Sequence, residues 1–201
     1  RLKKGDIYLV DSGGQYAFGT TDVTRTISLD NNNERIKKIF TTVLKGHIAV
    51  AKFNLKQNTC GSEIDRAARK PLKKINLNYS HGTGHGVGYF LNVHEGPYAI
   101  STKNNLKLED GLILSNEPGY YETGKFGIRI ENLIYTKRSV GGLKFENLTM
   151  VPLDKSLIIK NILNQSEIDW INKYHKKVFN SLKKFMNVSE LKDLTKACSI
   201  I

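Results

Sequence analysis

The run His81-Gly-Thr-Gly-His85-Gly-Val-Gly88 constrains the fold more than any other stretch of this chain. Glycine at positions 82, 84, 86 and 88 costs too much backbone entropy for a stable helix. His81 and His85 are therefore not the i,i+4 pair of a helical zinc protease. An extended reading fits: residues 81, 83 and 85 share one face by the two-residue period, so both imidazoles look the same way. The glycines between them let other backbone approach closely. His94 closes the stretch from a turn at Glu95-Gly96-Pro97, so three of the five histidines are concentrated here. A single histidine in a glycine-rich loop is ordinarily just a polar residue. The cluster gains chemical meaning only from carboxylates supplied elsewhere.

At 201 residues, with 39% hydrophobic and 25% charged residues, the chain has the composition of one globular domain with a substantial core. Neither disorder nor a membrane-spanning helix is expected, since the composition is globular and no apolar run approaches the roughly eighteen residues of a spanning helix. No basic-then-apolar leader precedes the first strand. The chain opens at Arg1 with a strand almost at once, so it reads as a piece of something longer whose upstream targeting segment is left open. The net charge of +12 and pI near 9.6 raise a nucleic-acid partner. The lysines are dispersed, however, and the local density at Lys173, Lys176, Lys177, Lys183 and Lys184 lacks interleaved stacking aromatics. It reads as a solvated helix face, and no nucleic acid is expected. Cys60 and Cys198 are isolated from each other, without metal-ligand spacing, which fits a reducing, cytoplasmic compartment.

In chain order, Ile7–Asp11 predicts a strand, Ser12-Gly13-Gly14 a turn, and Gln15–Phe18 the return. Thr20–Ile27 predicts a third strand with Asp22, Thr24 and Thr26 on one face. A carboxylate is disfavoured inside a β-branched strand, so Asp22 needs a partner; Arg25 points away by parity, which leaves another cation or a metal ion. Residues 31 to 55 carry an amphipathic helical pattern entered through Asn31, with Glu34 three residues on. Ser62 and Asp65 open a second helix that Pro71 should end. Gly111–Tyr121 reads as a buried strand delivering Glu117 at its end, with a turn at Pro118-Gly119. Gly127–Tyr135 is the next strand, with Arg129 and Glu131 on one face, and Leu143–Val151 another. A helix from Ser166 to about Phe185 and a short one after Ser189 finish the chain. The expected class is α+β with a mostly antiparallel sheet.

Asp11, Asp22, Glu117 and Glu131 fall at strand ends or inward strand positions, together with His85. Each acid alone is as well read as a surface charge or strand-end cap. Gathered in one pocket they would protonate or require cations, and two divalent ions would satisfy the set if two carboxylates bridge. One imidazole among oxygens favours Mn2+, with Zn2+ or Co2+ as substitutes.

Asp11-Ser-Gly-Gly-Gln-Tyr, Gly19-Thr-Thr-Asp-Val-Thr-Arg-Thr26, the histidine block, Asn92-Val-His-Glu-Gly-Pro97, Asn116-Glu-Pro-Gly119 and Gly127-Ile-Arg-Ile-Glu-Asn132 resemble the X-prolyl aminopeptidases, the aminopeptidase P family. The likeness extends over most of residues 5 to 152 and into the terminal helices. It implies the pita-bread fold, two similar α/β halves around a dinuclear metal site. It further implies that Asp11 chelates one ion, His85 and Glu117 the other, and Asp22 and Glu131 bridge them. A hydroxide between the ions would be the nucleophile, Glu117 the acceptor of its proton and His94 a stabiliser of the oxyanion. His81 would line the pocket beside the scissile bond. Tyr121 would border the substrate with His81 and His94, and Arg129 would orient Asp11. The implied activity releases the first residue from peptides with proline second.

Family members also carry an upstream first half of the pita-bread domain, another active-site histidine before the position of Asp11, and further N-terminal domains. None stands in this sequence, so the chain is expected to be the C-terminal part with the metal site. Residues 1–153 are expected to form the catalytic pita-bread domain and 154–201 a C-terminal helical extension. In isolation the sheet would expose an edge and half of a core, with poor activity. A homodimer is a further expectation. The alternatives are a prolidase- or methionine-aminopeptidase-like dinuclear peptidase, which shares the five ligands, and a non-catalytic pita-bread binding protein.

Overall fold

The computed structural model describes residues 1–30, 33–90 and 92–201. Two long strands, β1 (Ile7–Tyr16) and β2 (Gly19–Ser28), form an antiparallel hairpin, followed by helices α1 (Glu34–Ala51) and α2 (Gly61–Lys73). Short strands β3 (Gly84–His85), β4 (Ala99–Ile100), β5 (Ile113–Asn116), β6 (Gly119–Glu122) and β7 (Phe126–Arg129) precede β8 (Asn132–Ser139) and β9 (Gly142–Asn147). Helices α3 (Gln165–Leu182) and α4 (Val188–Cys198) complete an α+β architecture. Every pairing is antiparallel, but the ladders form separate small sheets, β1-β2, β3-β4, β5-β8-β9 and β6-β7, where one sheet was expected.

The expected turn at Ser12–Gly14 is absent: β1 runs through it, with Gly13 opposite Asp22 and Gly14 opposite Thr21. A Cβ on Gly13 would sit 3.0 Å from the Thr21 carbonyl oxygen, so this glycine serves close strand approach, and the chain reverses at Ala17-Phe18. The entry of α1 is Asn33, whose side chain accepts from the Arg35 and Ile36 amides at 2.9 and 3.2 Å; Asn31 lies outside the described residues. Helix α2 starts behind Cys60, whose amide donates to Glu63 at 3.0 Å, and it runs past Pro71 to Lys73. Proline removes only its own donor, and the fully buried Leu72 holds that last turn on the core. The histidine stretch is strand only at Gly84–His85. A Cβ on Gly84 would collide with the Ser115 carbonyl, which is the close backbone approach the glycines allow.

The expected Gly127–Tyr135 strand is interrupted at Ile130 and Glu131. β7 pairs with β6, β8 pairs with β5 and β9, and the break lets the Glu131 amide donate to the Thr24 carbonyl at 3.1 Å. Both neighbouring isoleucines, Ile128 and Ile130, are fully buried, as their shared face requires. Helix α1 lies at the centre. Its Ile36, Phe40, Val43, Leu44 and Ile48 pack with Ile128, Ile130, Ile171, Tyr174, Val178 and Leu194, so α3 and α4 share this core. Its Val50 joins a second cluster with Ile64, Ile100, Leu114 and Ile134. Each fully buried Leu or Ile contributes roughly 1.5–3 kcal/mol. The five lysines expected on a helix face are all exposed. Among the described residues no helix is long and apolar enough to cross a membrane.

Candidate metal centre

The hairpin builds one side of the site. Asp11 lies opposite Thr24 and Asp22 opposite Gly13, so Asp11, Asp22 and Thr24 project from one face. The break after β7 brings Glu131 beneath them, 2% exposed, where the Thr24 hydroxyl donates to Glu131 Oε2 at 2.6 Å. Arg129 ties the group together: Nε donates to Thr24 Oγ1 at 3.0 Å, Nη1 to the Tyr121 hydroxyl at 2.9 Å, and Nη2 to Asp11.

The other side comes from β5 and the histidine stretch. Glu117 follows β5, its amide donating to the Thr83 carbonyl at 2.8 Å and its Oε1 accepting from Ser115 Oγ at 3.0 Å. Ser115 Oγ in turn accepts from the His85 amide at 2.9 Å. His85 Nδ1 lies 2.9 Å from the Gly86 carbonyl, which places the proton there and turns the Nε2 lone pair toward the acids. Nε2 is 3.3 Å from Glu117 Oε1 and 3.5 Å from Asp22 Oδ2. The expected shared orientation of the histidines is found: His81 Nδ1 is 4.0 Å from Glu117 Oε2. His81 is held on both sides, Nδ1 by the Gly82 carbonyl at 2.7 Å and Nε2 by the Tyr121 hydroxyl at 2.9 Å. The His94 ring meets that of His85 edge-on, centroids 4.0 Å apart. One open cleft is lined by His81, His85, His94 and Glu117, and a second by Asp11, Asp22 and His94, so His94 stands between them.

Candidate ligand atoms fall into three overlapping groups, each within 4.8 Å: Asp11, Asp22 and Glu131; His85, Glu117 and Glu131; and Asp22, His85 and His94. Asp22, Glu131 and His85 each belong to two groups, and of these only the two carboxylates have the second oxygen that bridging would use. The third group also puts His94 within ligand range.

Electrostatics point the same way. Burial, then the charge of Glu117, pushes Glu131 up to about 8, with Asp22 and Asp11 adding and the Thr24 hydroxyl opposing. Burial also raises Glu117, with Asp22 contributing. Burial by itself would lower His85, but the bond to Asp22, the Gly86 carbonyl and Glu117 reverse it and hold the imidazole above its ordinary value. Among the described residues the ion pairs to these acids come from Arg129, His85 and His81. Four carboxylates thus face one guanidinium and imidazoles that are not permanently charged. This oxygen-rich set with one or two imidazole nitrogens fits two hard-to-borderline divalent cations.

Sequence reasoning missed Thr24, Ser115 and Arg69 as parts of the site. Thr24 was visible as a neighbour on the Asp22 face. Ser115 has no local sequence signal; Arg69, whose Nη2 holds the His81 carbonyl at 2.6 Å, stands i,i+4 from Asp65 on α2, a spacing that marks the pair but not its reach to His81.

A fold that converges acids and histidines on one cleft defines a candidate metallohydrolase, and the comparisons give its family. Residues 1–138 match metallopeptidase family M24 and residues 141–201 the C-terminal region of peptidase M24. The chain belongs to metallopeptidase family M24, and it carries the C-terminal part of that family's pita-bread fold. A probable Xaa-Pro aminopeptidase P of Laccaria bicolor is 43% identical over 211 residues, covering 98% of this chain and 33% of the relative. Aminopeptidase P2 of Arabidopsis thaliana is 46% identical over 192 residues, covering 90% of this chain and 27% of the relative. The crystal structure of X-prolyl aminopeptidase from Caenorhabditis elegans, described as a cytosolic enzyme with a di-nuclear active site, matches with a TM-score of 0.92. It is 40% identical and covers 98% of this chain and 34% of that one. Prolidase from Pyrococcus furiosus matches with a TM-score of 0.65 at 31% identity, over 72% of this chain and 42% of that one. The chain spans about a third of the length of the curated relatives it matches.

Proposed function

We propose that this chain carries the metal-binding part of an aminopeptidase that releases the first residue from peptides with proline in the second position. The observation that supports this most is the pair of ligand groups sharing Glu131, Asp11 with Asp22 and His85 with Glu117, with His81 and His94 flanking one cleft. On this reading Asp11 would hold one divalent ion, His85 and Glu117 the other, and Asp22 and Glu131 would serve both. Mn2+ is the proposed metal, because the donor set is dominated by carboxylate oxygen. Bound ions supply Lewis-acid polarisation and a water of lowered pKa.

Each side chain then has a task of its own. Glu117 takes and returns a proton at a carboxylate that burial makes more basic than usual. His94, between the two clefts, donates to the carbonyl oxygen as charge develops there. Asp11, half exposed on the hairpin and oriented by Arg129, receives the substrate's free α-amino group, which excludes internal peptide bonds. His81 and Tyr121, bonded to each other, offer with His94 a ring-lined wall for proline, which brings no amide hydrogen that would be left unpaired. A non-catalytic binding role is disfavoured because the complete acid and histidine set converges. The likeness to the cytosolic C. elegans enzyme supports a cytoplasmic location.

The test compares Arg-Pro-Pro, its acetylated form and Arg-Ala-Ala with Mn2+, using this chain and a longer one of the relatives' length. Cleavage of Arg-Pro-Pro alone is expected, faster in the longer chain. Equal cleavage of all three peptides would overturn the specificity.

A further inference from the structure

The buried residue the site description has not used is Arg25. It lies on the face of β2 opposite Asp22 and Thr24, 5% exposed, and its five N–H groups reach six acceptors within hydrogen-bond distance, one hydrogen on Nη2 being shared. Nη1 donates to the Thr24 carbonyl at 2.8 Å and the Glu131 carbonyl at 2.5 Å. Nε donates to the Pro152 carbonyl at 3.0 Å, and Nη2 to the Val151 carbonyl at 2.7 Å, the Tyr174 hydroxyl at 2.9 Å and Asn132 Oδ1 at 2.7 Å. None of these bonds goes to a carboxylate. Burying a cation among neutral acceptors is costly, and packing alone would be served as well by an apolar side chain.

The two sides of the guanidinium have different neighbours. Nη1 grips backbone of two segments that carry ligand candidates, β2 beside Asp22 and the break at Glu131. Nε and Nη2 reach chiefly the C-terminal segment: Val151, Pro152 and, through Tyr174, helix α3. Tyr174 is itself locked, donating to the Val151 carbonyl at 2.6 Å and stacking on Trp170 with centroids 5.3 Å apart. Only a planar five-donor fork can span these acceptors at once; a lysine ammonium cannot.

We infer that Arg25 is a positioning residue through which the C-terminal segment, with Tyr174 as its contact, fixes the separation of Asp22 and Glu131 and so sets divalent-metal affinity. The inference rests on the reading of those two acids as ligands. A carboxylate pair that must bridge two cations tolerates little displacement, because side chains misplaced by about 1 Å lose much of their coordination energy.

The experiment uses a chain of the relatives' full length as parent and measures Mn2+ binding by calorimetry and metal content after dialysis, with unfolding midpoints taken in parallel. The variants are Arg25→Lys, Tyr174→Phe and, as control, Val178→Ala, a core truncation on the same helix. Arg25→Lys is expected to bind the ion pair tenfold or more weakly and Tyr174→Phe about threefold, each beyond any change in Val178→Ala at a matched loss of midpoint. Amide exchange at Glu131 should quicken in Arg25→Lys and not in the control. Unchanged manganese affinity in folded Arg25→Lys, or an equal loss in Val178→Ala, overturns the positioning role alone. Absence of Mn2+ binding by the parent chain overturns the ligand reading and the positioning role together.

Discussion

Two buried acid sites in this fold are treated in opposite ways. Asp65 is 0% exposed, and both of its oxygens are answered: Oδ2 by Arg69 Nε at 2.8 Å and Oδ1 by the Thr83 hydroxyl at 2.6 Å. Arg69 is in turn spread over the Tyr79 ring at 4.0 Å and bonded to the Tyr79 and His81 carbonyls. That site is a closed knot. Glu131, equally buried, has one hydroxyl partner and three acid neighbours, and its carboxyl is pushed up to about 8. A buried carboxylate with its own cation is a strut, whereas buried carboxylates without one are a place for cations to come.

The contrast is broken or sharpened most strongly by neutralising one acid on each side. Asp22→Asn is expected to abolish peptide cleavage, by roughly a thousandfold or more, and to lose the ion pair, because an amide cannot balance two cations. The metal-free fold should be no less stable than the parent's, since repulsion is relieved. Wild-type turnover with two bound ions in this variant would break the comparison outright.

On the knot side, Arg69→Met leaves Asp65 buried and unpaired and should cost about 3–5 kcal/mol of stability in urea unfolding. A loss below about 1 kcal/mol would show that Asp65 is no more in need of a partner than the site acids are.

His94→Ala is the next smaller effect. It should lower kcat by roughly a hundredfold with metal content intact, the size expected for one lost oxyanion donor. Loss of metal instead would move His94 into the ligand set, as its proximity to Asp22 and His85 allows.

The comparison also explains what was legible in the sequence. Strand periodicity placed Asp22, Thr24 and Thr26 on one face, and parity sent Arg25 to the other, because a two-residue period is a local property. The alternating glycines announced close backbone approach, which Gly84 makes against Ser115. The ends of elements were less readable. Ser12–Gly14 looks like a turn, yet opposite Thr21 and Asp22 the glycines serve a continuous ladder, and only the partner strand decides between the two. The break at Ile130 and Glu131 has no glycine or proline to mark it; it exists because the Glu131 amide bonds the Thr24 carbonyl, a contact between residues far apart in the chain. Arg25 was unreadable for the same reason: four of its six acceptors are backbone carbonyls, three of them in distant segments, and carbonyls leave no trace in residue identity. The Asp65–Arg69 pair had the helical i,i+4 spacing, but the reach of Arg69 to the Tyr79 and His81 carbonyls had no such mark.

The smallest predicted effect extends the comparison from acids to histidines. His85, among carboxylates, is held above its ordinary value, whereas the core histidines go the other way. Burial, then the nearby charge of Arg25, pushes His47 down to about 3, and burial pushes His175 down to about 4. His47 Nδ1 donates to the Asn116 carbonyl at 3.1 Å, and desolvation of a second proton on this fully buried ring outweighs the help of the Asn116 and Ile130 backbone. A base whose folded pKa lies below its unfolded value of about 6.5 adds stability that is complete above that pH and is lost as pH falls toward the folded value. The share of stability carried by these two histidines should therefore decline from about pH 6.5 downward, that of His47 by about 2 kcal/mol between pH 7 and pH 5, against the opposite trend of Glu131, whose raised carboxyl takes up a proton on folding. Over this interval the pH slope of the His47→Gln unfolding free energy should differ from the parent's by about one proton, in the direction of relatively greater stability at low pH, while the His175 share persists. Superimposable slopes for parent and variant would mean that the apolar interior tolerates the imidazolium, and the distinction between the two histidine environments would fail.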